Sequence, residues 1–382
     1  MENERIFLSR PHMGGSEQKY INKAFEQNWI APLGENVTEF ENAIKNYINI
    51  DEALALSSGT SAIHLALIES EVTENDIVFC TSLTFCATSN PILYQNAVPV
   101  FIDSELNSWN MSPQALEKAF KTYAEKSIKP KAVIVVNLYG QSAKLDEIRK
   151  ICDYYQVTLI EDAAESLGSE YQGKMSGSFG DYGIFSFNGN KIITTSGGGM
   201  LVTNDKQSRE HALFLSTQAR DKAMHYQHSE LGYNYRLSNI SAGIGRGQME
   251  VLNQRVQRRR AIFDKYRKNL QDIKGIEFQP ELPNSKSNRW LTALTIDETQ
   301  TGFSANDVID ALGKENIEAR PVWKPMHLQP LYSQYEFISA DKDNAKYLFE
   351  QGICLPSGSD MKDKDQDRVI QIIKICMTSS KE

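Results

Sequence analysis

The sequence predicts an α/β fold with a mostly parallel sheet, because short β-branched and aliphatic runs alternate with helical stretches up to residue 203. A second observation supports this class: residues 157–164 form an aliphatic run that ends in Glu161 and Asp162, as a buried parallel strand does at its carboxyl edge. A third observation is the start of a long charged helical stretch near residue 250. We therefore expect a large domain over residues 1–250 and a smaller C-terminal α+β domain over residues 251–382.

Seven runs in the large domain have the composition of strands. They cover residues 53–56, 77–80, 98–102, 132–137, 158–161, 183–187 and 200–203. Between them, Ser112 followed by Pro113 predicts a helix start, since Ser caps helices and Pro is tolerated at the first helical position. Residues 145–152 keep apolar side chains at helical spacing. Helices between strands predict crossover connections that cover a parallel sheet.

The small domain contains a strand-like run at residues 290–296 and a helix at residues 304–312. Ser304 and Asp307 form a variant of the capping box, and Gly313 is predicted to end this helix. We find no internal repeat and no flexible linker, so we expect the two domains to pack as one rigid unit.

Charge and composition exclude several classes of protein. The chain has 382 residues, of which 41% are hydrophobic, and 49 acidic against 41 basic residues give a net charge of −8. This charge disfavours binding to nucleic acid or to anionic membranes. The helix predicted from residue 248 carries arginines at positions 258–260, which we interpret as a solvated face. Without an apolar run of spanning length or a signal peptide, we expect a cytoplasmic protein with no membrane partner.

The cysteines predict neither disulfides nor a metal site. There are five, which is an odd number, and they are scattered through apolar runs. We interpret them as buried thiols.

Lys191 is the most informative single residue. It lies in a turn between the strand-like residues 183–187 and a glycine-rich segment at residues 194–199. A lysine in such a turn can bind an aldehyde cofactor covalently, provided that a desolvated or electropositive pocket favours its neutral amine. The alternative is a lysine in an ordinary surface turn.

Asp162 ends its strand at the sheet edge where ligands of α/β proteins collect. Pyridoxal phosphate chemistry needs a carboxylate beside the pyridine nitrogen, so Asp162 is our candidate for that role. Asp after a strand is also a common helix N-cap, and the residue alone does not decide between the two readings. Lys191 downstream favours the cofactor.

Two further segments suit the same cofactor. Gly59 and Thr60 open a helical run after a small-residue strand, and a helix N-terminus of this kind favours a phosphate. Phe85 follows another predicted strand and could stack on a flat ring. The alternatives are an ordinary capped turn and a core phenylalanine.

Together these segments resemble the DegT/DnrJ/EryC1/StrS family of sugar aminotransferases, which are fold-type I enzymes dependent on pyridoxal 5'-phosphate (PLP). The resemblance extends almost end to end, through residues 7–15, 30–34, 99–103 and 352–358. Within the family the chain is most similar to C4 aminotransferases that act on UDP-4-keto-6-deoxy-N-acetylglucosamine in bacillosamine-type glycan biosynthesis. Residues 233–239, 287–291 and 320–327 carry this closer similarity.

The resemblance implies that Lys191 binds the cofactor covalently, that Asp162 pairs with its pyridine nitrogen and that Phe85 stacks on its ring. Many relatives place Gln where this chain has Glu165, beside the phenolic oxygen of the cofactor. A carboxylate facing a phenolate repels it unless one of the two holds a proton.

The resemblance also implies a homodimer with shared active sites. Gly59, Thr60 and Ser186 would hold the cofactor phosphate together with Asn234 of the neighbouring subunit. A shared site would make the dimer necessary for activity.

For substrate contacts the resemblance points to Arg236, Trp323, Lys324 and His327. Arg and Lys suit a diphosphate, and Trp can cover a sugar or base. Alternatively, Arg236 belongs to a dimer contact, Trp323 to the core, and His327 is a structural imidazole.

The implied reaction has two halves. L-glutamate gives its amine to the cofactor, leaving pyridoxamine 5'-phosphate (PMP) and 2-oxoglutarate, and the amine then passes to the C4 ketone of the UDP-linked 4-keto-6-deoxy sugar. Lys191 would move the proton and so set the product's stereochemistry.

Three alternatives compete with this reading. The first keeps the chemistry but uses a GDP- or dTDP-linked keto sugar. The second is a PMP-dependent dehydratase of the same family, which Lys191 argues against because that branch has histidine in its place. The third is a non-catalytic regulator that binds PLP or a nucleotide sugar.

Overall fold

The computed structural model of the protein describes residues 4–379. Its strands, in chain order, are β1 Glu52–Leu56, β2 Ile77–Thr81, β3 Val98–Ile102, β4 Ala132–Val136, β5 Thr158–Asp162, β6 Glu170–Tyr171, β7 Lys174–Met175, β8 Tyr182–Ser186, β9 Gly199–Thr203, β10 Ile276–Phe278, β11 Ser285–Lys286, β12 Thr292–Ile296, β13 Arg320–Pro321, β14 Phe337–Ile338 and β15 Gly352–Leu355.

The α-helices alternate with these strands through the first half of the chain. They are α1 Glu17–Glu26, α2 Glu35–Ile48, α3 Gly59–Glu69, α4 Cys86–Tyr94, α5 Pro113–Glu125, α6 Leu145–Tyr155, α7 Lys206–Ser216, α8 Asn239–Met249, α9 Leu252–Leu270, α10 Glu298–Thr301, α11 Ala305–Lys314, α12 Asn344–Gln351 and α13 Asp363–Ser379.

The main sheet has eight strands in the order β1-β9-β8-β5-β4-β2-β3-β14. Neighbouring strands are parallel from β8 to β14, and β9 runs antiparallel to both β1 and β8. This architecture confirms the predicted α/β class, and the seven predicted runs correspond to β1–β5, β8 and β9. The central strands β2, β4 and β5 are almost entirely buried, which explains why most of their residues are apolar.

A second sheet of four antiparallel strands, β10-β12-β15-β13, lies in the C-terminal part of the chain. Its core includes apolar residues of α9, α11 and α13. Two short segments connect the parts of the chain: β14 pairs with β3 of the main sheet, and Ile6 forms a bridge with Ile317. The division at residues 250 and 251 stays a prediction.

Two predicted helix boundaries are wrong. The helix expected from residue 248 is two helices, because Val251 leaves the helical conformation between α8 and α9 with φ −111° and ψ 0°. Gly313 lies inside α11, and the left-handed residue that follows this helix is Asn316, with φ 60°. The capping box of Ser304 and Asp307 is confirmed.

The interpretation of the arginine run as a solvated face is also wrong. Arg259 is 1% exposed and donates hydrogen bonds to the carbonyl oxygen of Trp290 and to Oγ of Ser9. Arg260 forms an ion pair with Glu281, with 2.6 Å between Nη1 and Oε1. These arginines therefore connect α9 to the segments beside it.

Within residues 4–379, no helix combines the length and the apolar character that crossing a membrane requires. The cytoplasmic location stays a prediction. The same part of the chain contains no group of three or more His, Cys, Asp or Glu side chains placed to hold a metal ion.

Candidate active site

A cavity of about 310 Å³ lies at the carboxyl edge of the main sheet. The predicted residues that line it are Gly59, Thr60, Phe85, Asp162, Glu165, Ser186, Lys191 and Trp323. Eight of the twelve predicted site residues therefore meet in one place, although they are spread over much of the sequence.

Asp162 is the buried carboxylate at the end of β5. Its Oδ2 accepts a hydrogen bond of 2.7 Å from Oγ1 of Thr88, and its Oδ1 accepts one of 3.1 Å from the backbone N–H of Ala164. Burial raises the pKa of Asp162, and the two hydrogen bonds and the charge of Lys191 oppose that rise. The carboxylate is thus held in place in a setting that favours a cationic or protonated partner.

Lys191 reaches the cavity from the turn after β8. The backbone N–H of Lys191 donates to the carbonyl oxygen of Asn188, which closes the turn. Its Nζ lies 3.6 Å from Oε1 of Glu165 and 4.1 Å from the centroid of the Trp290 ring. With a side chain only 13% exposed, the amine is largely removed from water.

Glu165 receives a hydrogen bond from a strained backbone. The N–H of Tyr139 donates to Oε2 of Glu165 over 2.7 Å, and Tyr139 has a φ of +55°, which is uncommon outside glycine. Burial raises the pKa of Glu165, while the charge of Lys191 lowers it. A buried carboxyl with a raised pKa can hold a proton, which removes the repulsion expected for a glutamate facing a phenolate.

The N-terminus of α3 forms one end of the cavity. Oγ of Ser58 caps α3 by accepting a hydrogen bond of 3.0 Å from the backbone N–H of Ser61, so the helix begins at Gly59. Gly59 and Thr60 at this N-terminus line the cavity. A Cβ added to Gly59 would lie 3.2 Å from Cβ of Ser186. This end of the cavity is therefore narrow, and the residues that line it include Ser58, Thr60 and Ser186, which carry hydroxyl groups.

Aromatic rings also line the cavity. The rings of Phe85 and Trp323 lie 5.4 Å apart between centroids, and Trp323 and Tyr139 lie 6.0 Å apart. Phe85 is 51% exposed and lines the cavity, so its ring is accessible to a ligand there.

Four predicted residues do not line the cavity of the described chain. Arg236 instead donates to Oε1 of Glu41 and to the carbonyl oxygen of Ala55, over 3.0 and 2.9 Å. Asn234 and Lys324 are exposed.

His327, the fourth, has both ring nitrogens occupied. Its Nδ1 lies 2.7 Å from Oγ of Ser82 and its Nε2 lies 3.0 Å from Oδ2 of Asp343. Burial lowers the pKa of His327, against the opposing charge of Asp343. The structure therefore favours the alternative of a structural imidazole.

Sequence reasoning missed several residues in or beside the cavity, among them Thr88, Trp290 and Tyr139. Thr88 lies three positions after Phe85 and could have been found from that helical spacing. Trp290 lies in the segment 287–291 that carries the closer similarity, but the sequence assigns neither it nor Tyr139 to the site, because each takes its place through a contact with a distant part of the chain.

Comparison with known proteins identifies the family of the chain. The sequence model of the DegT/DnrJ/EryC1/StrS aminotransferase family matches residues 11–374. The chain belongs to this family.

Two curated relatives span nearly the whole chain. The putative pyridoxal phosphate-dependent aminotransferase EpsN of Bacillus subtilis is 57% identical over 97% of this chain and 95% of its own. The GDP-perosamine synthase of Escherichia coli O157:H7 is 34% identical over 97% and 96%. A crystal structure of a DegT DnrJ EryC1 StrS aminotransferase from Brucella abortus superposes with a TM-score of 0.87, at 26% identity, over 94% of each chain.

As a DegT/DnrJ/EryC1/StrS aminotransferase, the protein is a PLP-dependent sugar aminotransferase. The predicted fold, reaction class and cofactors, PLP and PMP, are confirmed.

The residues of the cavity fit the cofactor of this aminotransferase. Asp162 offers a buried carboxylate for a pyridinium nitrogen, α3 offers a helix N-terminus for a phosphate, and Lys191 offers a sheltered amine for an aldehyde. The individual roles of these residues stay predictions.

Proposed function

We propose that the protein transfers an amino group from L-glutamate to the C4 ketone of a nucleotide-linked 4-keto-6-deoxy sugar. UDP-2-acetamido-4-keto-2,6-dideoxyglucose is the proposed substrate, and the product is the UDP-4-amino sugar for glycan biosynthesis. The observation that carries the proposal is the meeting of one sheltered amine, Lys191, with two buried carboxyl groups, Asp162 and Glu165, in a single cavity.

PLP supplies an electron sink for the bonds at the reacting carbon. Asp162 holds negative charge opposite the pyridine nitrogen, and Thr88 and Ala164 fix its orientation. Glu165, whose pKa is raised by burial, would share a proton with the phenolic oxygen of the cofactor. The residues at the N-terminus of α3, with Ser186, hold the phosphate.

Lys191 carries the proton in both halves of the reaction. In the first half its Nζ would move a proton from the substrate carbon to the cofactor, and in the second it would move a proton from the cofactor to C4 of the sugar. Because the lysine approaches from one wall of the cavity, delivery occurs on a single face of the sugar. Phe85 and Trp323 also line the cavity and exclude water.

A GDP-linked sugar is the second candidate. It is favoured by the curated relative at 34% identity, which is a GDP-perosamine synthase. The UDP proposal depends on the resemblance carried by residues 233–239, 287–291 and 320–327.

We further propose a homodimer in which Asn234 reaches the cofactor phosphate of the neighbouring subunit. Asn234 is exposed, and Met224, Tyr226 and Leu231 just before it are large apolar side chains exposed to solvent. A partner surface would cover them.

The dimer can be tested with two inactive variants. Mixing Lys191→Ala with Asn234→Asp under conditions of subunit exchange should restore activity, because each hybrid dimer contains one site with both native residues. No recovery despite confirmed exchange would contradict a shared site.

The substrate is tested with the protein in its PMP form. Each of the UDP-, GDP- and dTDP-linked 4-keto-6-deoxy sugars is added in turn, and the yellow absorbance of the PLP form is followed. Its return only with the UDP-N-acetyl sugar supports the first candidate, and its return only with the GDP sugar supports the second. Binding of a sugar with no colour change would favour a non-catalytic regulator.

A further inference from the structure

Trp290 is fixed by hydrogen bonds of its ring and of its backbone. Its Nε1–H donates to the carbonyl oxygen of Asn190 over 2.8 Å, and its backbone N–H donates to Oδ1 of Asn288 over 2.8 Å. The backbone carbonyl of Trp290 accepts from the guanidinium of Arg259. The indole, 1% exposed, therefore has a single position beside the turn that carries Lys191.

Arg259 does not line the cavity, and it is buried without contact to a carboxylate of residues 4–379. Burial lowers its pKa to about 10, so placing this cation there is costly. Besides Trp290, Arg259 donates to Oγ of Ser9 over 2.9 Å, and this hydroxyl donates to the carbonyl of Asn190 over 2.7 Å. Arg259 thus holds Trp290 directly and, through Ser9, contacts the turn that contains Asn190 and Lys191.

The Lys191 amine lies over the face of the Trp290 ring. Nζ lies 4.1 Å from the ring centroid, on the side from which a cation is attracted by the π electrons. Oε1 of Glu165 lies 3.6 Å from the same nitrogen. The amine is therefore held between an aromatic face and a carboxyl group.

We propose that Trp290 is a positioning residue whose ring face holds the Lys191 amine as an ammonium group after this amine has taken up a proton. This inference rests on the proposed function in one respect, the assignment of Lys191 as the proton carrier. A π face attracts the cation without fixing a hydrogen bond, so the amine keeps its proton available and stays free to swing back into the cavity. Glu165 alone would give the amine only one partner.

The alternative is that Trp290 only fills the core, since its ring belongs to a large buried apolar cluster. Trp109 provides the matched comparison: it is 3% exposed, belongs to the same cluster and does not line the cavity. A variant at Trp109 loses similar packing but no contact with Lys191.

The experiment labels Lys191 in the complete enzyme in its PMP form, where this amine is free. Acetic anhydride is added over a series of pH values, and acetylation of Lys191 is measured by mass spectrometry of its peptide. The plateau at high pH reports access of the reagent, whereas the midpoint of the profile reports protonation of the amine.

In Trp290→Leu we expect the midpoint to move about one unit toward lower pH, so that Lys191 labels about tenfold faster near neutral pH after correction for the plateau. Trp290→Phe keeps an aromatic face and should stay close to the native midpoint. Trp109→Leu should match the native profile.

An unchanged midpoint in folded Trp290→Leu, or an equal shift in Trp109→Leu, would overturn the proposal. If Trp290→Leu does not fold, replacement of the tryptophans by fluorinated tryptophan weakens the π face without changing its shape. The midpoint must then move toward lower pH in the same way, and a constant midpoint again overturns the proposal. Because labelling is independent of the sugar, a wrong substrate assignment would leave this result intact.

Discussion

Two regions line the active-site cavity, and the chain forms them in different ways; we call them the floor and the cover segment. The floor, which comprises Asp162, Glu165 and Lys191, lies within one stretch of chain at the sheet edge, and its side chains face the cavity. The cover segment, residues 322–345, contributes Trp323 to the lining. Because the floor supplies three ionisable side chains and the cover segment supplies only Trp323, we infer that residues of the floor carry out the reaction. The polar residues of the cover segment serve mainly to position the ring of Trp323.

The contacts that the cover segment makes support this division between floor and cover. The backbone N–H of Met326 donates to the carbonyl oxygen of Ser82 over 2.8 Å, and the ring of His327 stacks on Phe337 at 3.7 Å between centroids. Farther along, the N–H groups of Asn344 and Ala345 donate to the buried carboxylate of Asp103. The segment is thus anchored to the sheet at several points on either side of β14.

The largest expected effect is on the floor. Lys191→Ala should lower amino transfer by at least about a thousandfold, because it removes the amine that moves the proton. Steady-state kinetics with L-glutamate and the accepted sugar measure this.

Lys324→Ala on the cover segment is the matched control, since Lys324 is exposed outside the cavity. It should leave the turnover number within a few-fold of native. A loss in Lys324→Ala as large as that in Lys191→Ala would break the division between floor and cover.

Asp162→Asn should have the next largest effect. A charged hydrogen bond contributes about 1.5–3 kcal/mol, so its loss should lower the rate of amino transfer about 10- to 100-fold and weaken cofactor binding. Cofactor affinity is measured by titrating the stripped protein with PLP. Native affinity together with native rates would show that Asp162 is only a cap, the alternative that the sequence left open.

The floor could be predicted because its residues stand in local motifs. Asp162 ends an aliphatic strand, Gly59 opens a helix, and Lys191 lies in a glycine-flanked turn, and each pattern is visible within about ten residues. Trp290 and the anchors of His327 depend on pairings between distant segments, which a single sequence does not show. The β14 strand was missed for the same reason, because two residues form it only by pairing with β3.

His327→Gln is expected to affect stability more than chemistry. It removes ring hydrogen bonds to Ser82 and Asp343, worth together about 2 kcal/mol, and the stacking on Phe337. We expect a melting temperature lower by a few degrees and a turnover number within tenfold of native. An unchanged melting temperature with a large rise in the KM for the sugar would instead restore His327 as a substrate contact.

The last expected effect is the pH dependence of the anchor at Asp103. Burial raises the pKa of Asp103 to about 6, with the nearby charge of Asp343 acting in the same direction and the N–H groups of Ala345, Asn344 and Ser104 opposing it.

Because the folded protein holds this proton more tightly than the unfolded chain, Asp103 stabilises the fold most below about pH 4. That contribution is lost as the pH rises through about 6. Asp103→Asn cannot ionise, so its melting temperature should fall less than that of the native protein between pH 4 and pH 7. The difference between the two melting curves across this range isolates Asp103 from the other titrating groups. Parallel curves would show that folding does not raise the pKa of Asp103.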